Sequence, residues 1–348
     1  MGASGHDGRG VTRPRLVDVA ARAGVSSATA SLVLRDRPGP SAQTRAAVRA
    51  AAAELGYRPD RTASLLARRR SHLLGVLLDV SSPFHAEMVA VLDAAAGDRG
   101  LDLVLSTVTP RRDERRALET LLDFRCEGVL LLGSRMPRAD LDELAGQCPA
   151  VLIGRSGVGR VPGVLASDEQ GLDLVVEHLV SFGHRRIAYL DGPRGSIATS
   201  RRKGYRRAMT RRGLGEHIEV LAGGQTEQEG RAAAADLMGR RPGVRPTAVA
   251  AFNDRCAIGL LDGLRRSGVG VPQLVSVVGY DDSPIARLGT VELTSVSQDP
   301  HGLAEAGISL MAQLLDGAES FEPQDVSDVV ITPRLTVRTS TGPVPGRT

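Results

Sequence analysis

The chain has 348 residues, 42% of them hydrophobic and only 3% aromatic, with a formal net charge of +4. That length suggests two to three domains with ample core. No run of about 18 uncharged apolar residues suggests a membrane span, and the opening "MGASGHDGRGVTRPR" lacks the apolar centre of a secretory signal, so a cytoplasmic protein is expected.

The three cysteines, Cys126, Cys148 and Cys256, are widely spaced and odd in number. They suit a reducing compartment and suggest neither a disulfide framework nor a zinc site. Lys203 is the only lysine, which reads as codon bias in a GC-rich genome. The charge is uneven. Residues 1–70 hold thirteen arginines and five acidic residues, a balance of +8, which leaves −4 for the rest. A small basic head on a slightly acidic body favours attraction to phosphate. A disordered basic tail has the same arithmetic, but this head carries helical periodicity.

Residues 16 to 34 read "LVDVAARAGVSSATASLVL". Val19, Ala20 and Ala23 recur at helical spacing. Gly24 can end that helix in a left-handed conformation, and Ser26 can cap the next. Ala30, Val33 and Leu34 form a second stripe. Alanines at the contact let two helices cross closely and steeply, as in a helix-turn-helix whose second helix lies in a DNA major groove. The same residues suit an ordinary helical hairpin, and the local pattern does not choose. Ser41 can cap a third helix, with Ala47, Ala50, Ala51 and Leu55 on one face and Gly56 at its end. "RTASLLARRR" follows as a linker helix that forms when docked. Its leucines either pack between domains or, flanked by arginines, wedge into a minor groove.

"LVDVAARAGVSSATASLVL", "PSAQTR" and "ELGYRPDRTASLLA" resemble the head of the lactose/galactose repressor (LacI/GalR) family of bacterial transcription regulators, without gaps through residue 67. The resemblance runs on to "SVVGYDDSPIARLGTVELTSVSQD". It implies base-reading places for Ser27, Ala28 and Leu32. It implies backbone contacts for Ser26, Thr29, Ser31, Ser41 and Tyr57, and minor-groove insertion for Leu66. The chain departs from the family pattern at Leu32, where a long polar residue is common; leucine can touch only a thymine methyl or an apolar edge. Ala28 is also short and apolar. Arg15 stands where a Ser or Thr cap is common, so the first helix is expected to begin loosely.

From residue 73 apolar strands alternate with amphipathic helices in two rounds. "LLGVLLDV", "LDLVLST", "GVLLLG" and "AVLIG" are the first set of strands, with helices near 84–99, 112–124 and 138–146. After Asp168 come a helix to Phe182, "RIAYLDG", "IEVLAGG", "AVAAFN" and "LVSVVGYD", with helices near 199–212, 226–239 and 254–267. Such alternation means doubly wound parallel sheets. Ligands then sit beyond the carboxyl ends of the strands.

No enzyme motif stands out there. "GVGRVPG" is not a dinucleotide loop, and no phosphate-binding GxxxxGK[ST], HExxH or GxSxG occurs. No catalysis, cofactor or metal is expected. His178 and His184 read as residues of helix ends or loops. Arg201, Asn253, Asp254, Asp281 and Asp282 place fixed donors and acceptors near strand ends, which suits hydroxyl-rich or heterocyclic ligands. The bland reading is that Asp254 caps its helix and Asp281 sits in a turn. The resemblance implies effector contacts for Arg201, Asn253 and Asp281, and a lining role for Ser82, Phe84 and Arg155.

The fold class expected is a small all-α helix-turn-helix head plus an α/β body of two doubly wound parallel-sheet lobes of the periplasmic-binding-protein type. The expected organisation is a disordered arm over 1–14, a DNA-binding domain over 15–60, a hinge over 61–72, an effector-binding and dimerisation body over 73–340, and a disordered tail over 341–348. By resemblance the first lobe takes about 73–166 and 298–323, and the second about 167–297 and 324–340. The implied partners are a near-palindromic double-stranded operator, a sugar or other polar metabolite, and a second copy of the chain, at the nucleoid and with no membrane. The rivals are a solute-binding protein of a transport system and a small-molecule enzyme with an accessory DNA-binding head.

Overall fold

The computed structural model describes residues 14–57, 70–317 and 327–346. Residues 1–13 of the expected arm over 1–14, residues 58–60 of the expected DNA-binding domain and residues 61–69 of the expected hinge over 61–72, Leu66 among them, lie outside the described residues. Contacts divide the chain into two units, Met1–Ser71 and His72–Thr348.

The head holds three helices, α1 (Leu16–Arg22), α2 (Ser27–Leu34) and α3 (Ala42–Glu54). Between α1 and α2 the chain bends by 102°, with Gly24 at φ +67°. Ser26 Oγ accepts from the Thr29 amide at 3.1 Å and Ser41 Oγ from the Thr44 amide at 3.2 Å. Each hydroxyl satisfies an amide that the helix start leaves without a partner. Arg15 supplies no side-chain cap to α1. Instead its own amide donates to Asp18 Oδ2 at 2.7 Å, so the start is tied from within. The core joins Val19, Ala20, Ala30, Val33, Val48, Ala51 and Ala52. The buried stripe of α3 is therefore Val48, Ala51 and Ala52; Ala47 and Ala50 are exposed, one position off the expected face. Val48 has the most apolar surface to hide, and its burial sets the rotation.

The body is built on two six-stranded sheets. In the first, β1 (Leu73–Asp79), β2 (Asp102–Val108), β3 (Gly128–Leu132), β4 (Ala150–Ile153), β5 (Gly163–Ala166) and β11 (Val329–Ile331) run in the order β11-β5-β4-β3-β1-β2, all parallel. In the second, β6 (Ile187–Asp191), β7 (Glu219–Ala222), β8 (Ala248–Ala251), β9 (Ser276–Asp281), β10 (Thr294–Ser297) and β12 (Arg334–Thr336) run in the order β12-β10-β9-β8-β6-β7, with only β12 antiparallel. Strands buried along their whole length, such as β3 and β8, read as continuous apolar runs because helices cover both faces. The helices that bear on function are α4 (Pro83–Gly97), α7 (Asp168–Ser181), α8 (Ser196–Arg211), α9 (Glu227–Gly239), α10 (Asp254–Arg266) and α11 (Pro300–Gly317), with α5 (Glu114–Asp123) and α6 (Arg138–Ala145) completing the first lobe. Among the described residues no single helix is long and apolar enough to cross a membrane.

Two expectations about the end of the chain are corrected. Residues 329–331 belong to the first lobe, not the second: β11 pairs Val329 with Val164 and Ile331 with Ala166. It satisfies the backbone edge that β5 would otherwise leave open. Asp328 helps to seat it by accepting from the Gly157 and Gly163 amides at 2.9 and 2.8 Å. Nor is 341–346 a disordered tail. Ser340 and Thr341 are buried. The Gly342 amide donates to Ser276 Oγ at 3.1 Å, and the Val344 amide to the Phe182 carbonyl at 2.9 Å. His184, fully buried, lies with Nε2 3.0 Å from the Gly342 carbonyl. This histidine anchors the tail.

Candidate functional site

One cavity collects the carboxyl ends of strands from both lobes of the body. Asp79, Ser82, Phe84, His85, Glu114 and Arg135 line it from the first lobe, and Ser196, Arg201, Gln225, Asn253, Asp281 and Gln298 from the second. The placement follows from the parallel strands, which all end on the same side of their sheet.

Arg201 is its most enclosed charge, 4% exposed. Nε donates to Asp168 Oδ1 at 3.1 Å and Nη1 to the Phe252 carbonyl at 2.5 Å, while Nη2 lies 3.6 Å from Asp281 Oδ1. The guanidinium stacks over Tyr280 with Cζ 3.7 Å from the ring centroid. Asp168 starts α7 and Asp281 ends β9, so Arg201 ties three elements together. Asp281 also accepts from Gln298 Nε2 at 2.7 Å. It sits at φ 110°, and Asp282 at φ 47°. Two successive non-glycine residues in the left-handed region are strained, and strain of this kind gathers at functional sites. The turn is held from beneath by Asp254, 1% exposed, which accepts from Ser283 N at 2.7 Å and from Ser295 Oγ at 2.5 Å. Burial raises the pKa of both Asp254 and Asp281, and the charge of Asp281 raises that of Asp254 further.

On the opposite wall His85 Nδ1 accepts from the Asp79 amide at 3.0 Å. Its proton is accordingly assigned to Nε2. Burial pushes the pKa down to about 4, although the Asp79 charge works the other way. The unfolded chain takes up this proton near pH 6.5. His85's share of stability is thus whole above that pH and lost as pH falls toward about 4. Thermal melts across this window are expected to lose less stability in His85→Gln than in the parent; equal losses would mean that His85 titrates as a solvated histidine. Glu114 accepts from Ser134 Oγ at 2.5 Å and from the Arg135 amide at 2.8 Å, which fixes the loop after β3. Arg135 lines the cavity and has no ion-pair partner among the described residues.

The lobes touch beside the cavity. Arg255, paired with Glu227 at 2.7 Å, donates through Nη1 to Ser81 Oγ at 3.2 Å. Arg287 Nη1 lies 3.0 Å from Glu87 Oε1. Helices α9 and α10, which carry Glu227 and Arg255, cross so closely that a Cβ on Gly259 would fall 2.0 Å from the Glu227 carbonyl oxygen.

In the head, α2 turns Ser27, Ala28 and Leu32 outward. Leu32 is 40% exposed.

The chain matches two family models, "Bacterial regulatory proteins, lacI family" over residues 15–60 and "Periplasmic binding protein-like domain" over residues 176–341. It is 33% identical to the HTH-type transcriptional regulator GalR of Escherichia coli (strain K12), with 92% of this chain and 95% of that protein covered. It is 34% identical to the HTH-type transcriptional regulator reg1 of Streptomyces lividans, covering 95% and 98%. The chain belongs to the LacI/GalR family of transcriptional regulators. Among solved structures it resembles the lac repressor dimer bound to operator and the anti-inducer ONPF, at 30% identity and a TM-score of 0.79 over 95% of this chain and all of that one.

For a LacI/GalR regulator the expected site residues fall out as follows. Ser82, Phe84, Arg201, Asn253 and Asp281 come together on the one cavity. Arg155 is not part of its lining. Its Nη1 donates to the Ser134 carbonyl at 2.9 Å, so it props the Arg135 loop from behind. Asn253, not Asp254, caps α10: Oδ1 accepts from the Cys256 amide at 2.9 Å and Nδ2 donates to the Gln225 carbonyl at 3.1 Å. Ser26, Ser27, Ala28, Thr29, Ser31 and Leu32 lie on α2 or at its cap. Ser41 caps α3, and Tyr57 packs against the head core. His85, Glu114, Arg135, Gln225 and Gln298 were not singled out from the sequence. His85 carried the one available signal, as a polar residue just inside the helix that follows β1.

Proposed function

We propose that the chain is a homodimeric repressor without catalytic activity, acting in the cytoplasm at the nucleoid. Its two heads bind the halves of a near-palindromic operator, and a small polar metabolite in the cavity sets that affinity. Bound metabolite and bound DNA then alter each other's affinity by the same factor. The observation that carries the reading is one cavity to which both lobes contribute polar side chains, on a chain that also bears a helix-turn-helix. The cavity volume is about 130 Å³. One water needs roughly 10–15 Å³ of such space, so the ligand has on the order of ten non-hydrogen atoms, the size of one sugar ring. Ser82, Gln225, Gln298, Asp281 and the Nε2–H of His85 offer both donors and acceptors, as several hydroxyls require. Phe84 offers an apolar face.

A thermal-shift screen of sugars, polyols and nucleobases, followed by DNA binding with each hit, tests this. Asp281→Ala is expected to abolish both the shift and the change in DNA affinity while leaving DNA binding itself intact. A full response in that variant would move the ligand site elsewhere.

A further inference from the structure

We infer that α2 reads its operator chiefly through pyrimidine methyl groups, with Leu32 as the specificity-determining residue and Ala28 beside it. This rests on the DNA-binding reading of the head and adds what the head recognises. In a helix-turn-helix the second helix enters the major groove, and here α2 follows α1 after a 102° bend. Its outward surface is unusual in what it lacks. Ser26 Oγ accepts from the Thr29 amide at 3.1 Å and shares a hydrogen bond with Thr29 Oγ1 at 2.9 Å. Ser31 Oγ accepts from Arg35 Nη2, and Arg35 Nε donates to the Ser31 carbonyl at 3.3 Å, which lays the arginine back along its own helix. Of the hydroxyls on this helix only that of Ser27 is without a partner among the described residues.

Apart from that Ser27 hydroxyl, what remains outward is apolar. Ala28 and Leu32 are both exposed and four residues apart, so their side chains lie one above the other on one ridge. Neither can donate to or accept from a base edge. In the major groove the one apolar feature that distinguishes base pairs is the C5 methyl of thymine, which 5-methylcytosine shares and which cytosine and uracil lack. A 40% exposed leucine on a groove-entering helix has that methyl as its matching surface. Bases with large polar edges would lose hydration against it without a replacement partner.

The test uses the full-length protein and duplexes it enriches from a randomised pool. Each thymine in an enriched duplex is replaced singly by deoxyuridine, which removes only the methyl. One position per half-site is expected to weaken binding roughly fourfold, the worth of one buried methyl-sized group. Leu32→Ala, at an exposed site that leaves the head core untouched, is expected to bring that ratio near one. Leu32→Gln is expected to move the preference at the same step from thymine to adenine, whose N6 and N7 a glutamine amide can bind. Binding that survives every deoxyuridine replacement unchanged overturns the inference and leaves DNA binding standing, as does undiminished methyl sensitivity in Leu32→Ala. A pool from which no duplex is enriched overturns the DNA-binding reading itself, and the methyl ridge with it.

Discussion

Arg201→Ala is expected to destabilise the second lobe by about 3–5 kcal/mol, the usual cost of removing one partner from a buried charge cluster. The cost arises from what stays behind. Asp168 and Asp281 keep their places at the start of α7 and the end of β9, and each loses the cation that offsets its burial. The Phe252 carbonyl and the Tyr280 ring lose their contacts as well. Lysine is no substitute, because an ammonium cannot serve Asp168, the Phe252 carbonyl and Asp281 at once in the planar geometry of a guanidinium. Denaturant titration of parent and variant measures the difference. A loss under about 1 kcal/mol would show that the cluster is solvated. Adding Asp168→Asn to Arg201→Ala is expected to recover part of the loss, since one uncompensated charge is then gone.

The affinity of the protein for its DNA is expected to fall by about a thousandfold or more between 50 and 200 mM salt, as for proteins that make six or more phosphate contacts. Residues 1–70 concentrate a balance of +8 in a chain whose remainder carries −4. The proposed dimer brings two such heads. The apolar ridge of α2 adds to the expectation, because contacts with methyl groups do not depend on salt and phosphate contacts must then supply most of the binding free energy. Fluorescence anisotropy across a salt series gives the slope of log K against log salt. A flat line would mean that the arginines of the head do not meet phosphate.

Local elements were legible because their causes are local. Ser26 and Ser41 marked two helix starts by the spacing of a hydroxyl from the amide it accepts. Gly24 marked a helix end by tolerating a positive φ. The strands of the body announced themselves as unbroken apolar runs. Where the chain had no chemical contrast, local reading slipped. In the alanine-rich α3 the 47-50-51 stripe and the 48-51-52 stripe look alike, and only the burial of Val48 in the head core chose between them.

The cavity shows the same boundary. Arg201, Asn253 and Asp281 stood out as polar groups near strand ends, but nothing in the linear order joined Arg201 to Asp168, 33 residues away, or Gln298 to Asp281. The family resemblance implied a lining role for Arg155, and the structure turned it toward the Ser134 carbonyl.

Periodicity, capping and charge distribution determined, from the sequence by itself, a basic three-helix head and a two-lobed α/β body. They act over one to a few turns of chain, and so can be read in order. Which groups face the cavity, which sheet edge takes residues 329–331 and what anchors residues 340–344 were decided only by tertiary structure. Those outcomes depend on hydrogen bonds and buried charges between residues distant in sequence, and such pairings have no local signature.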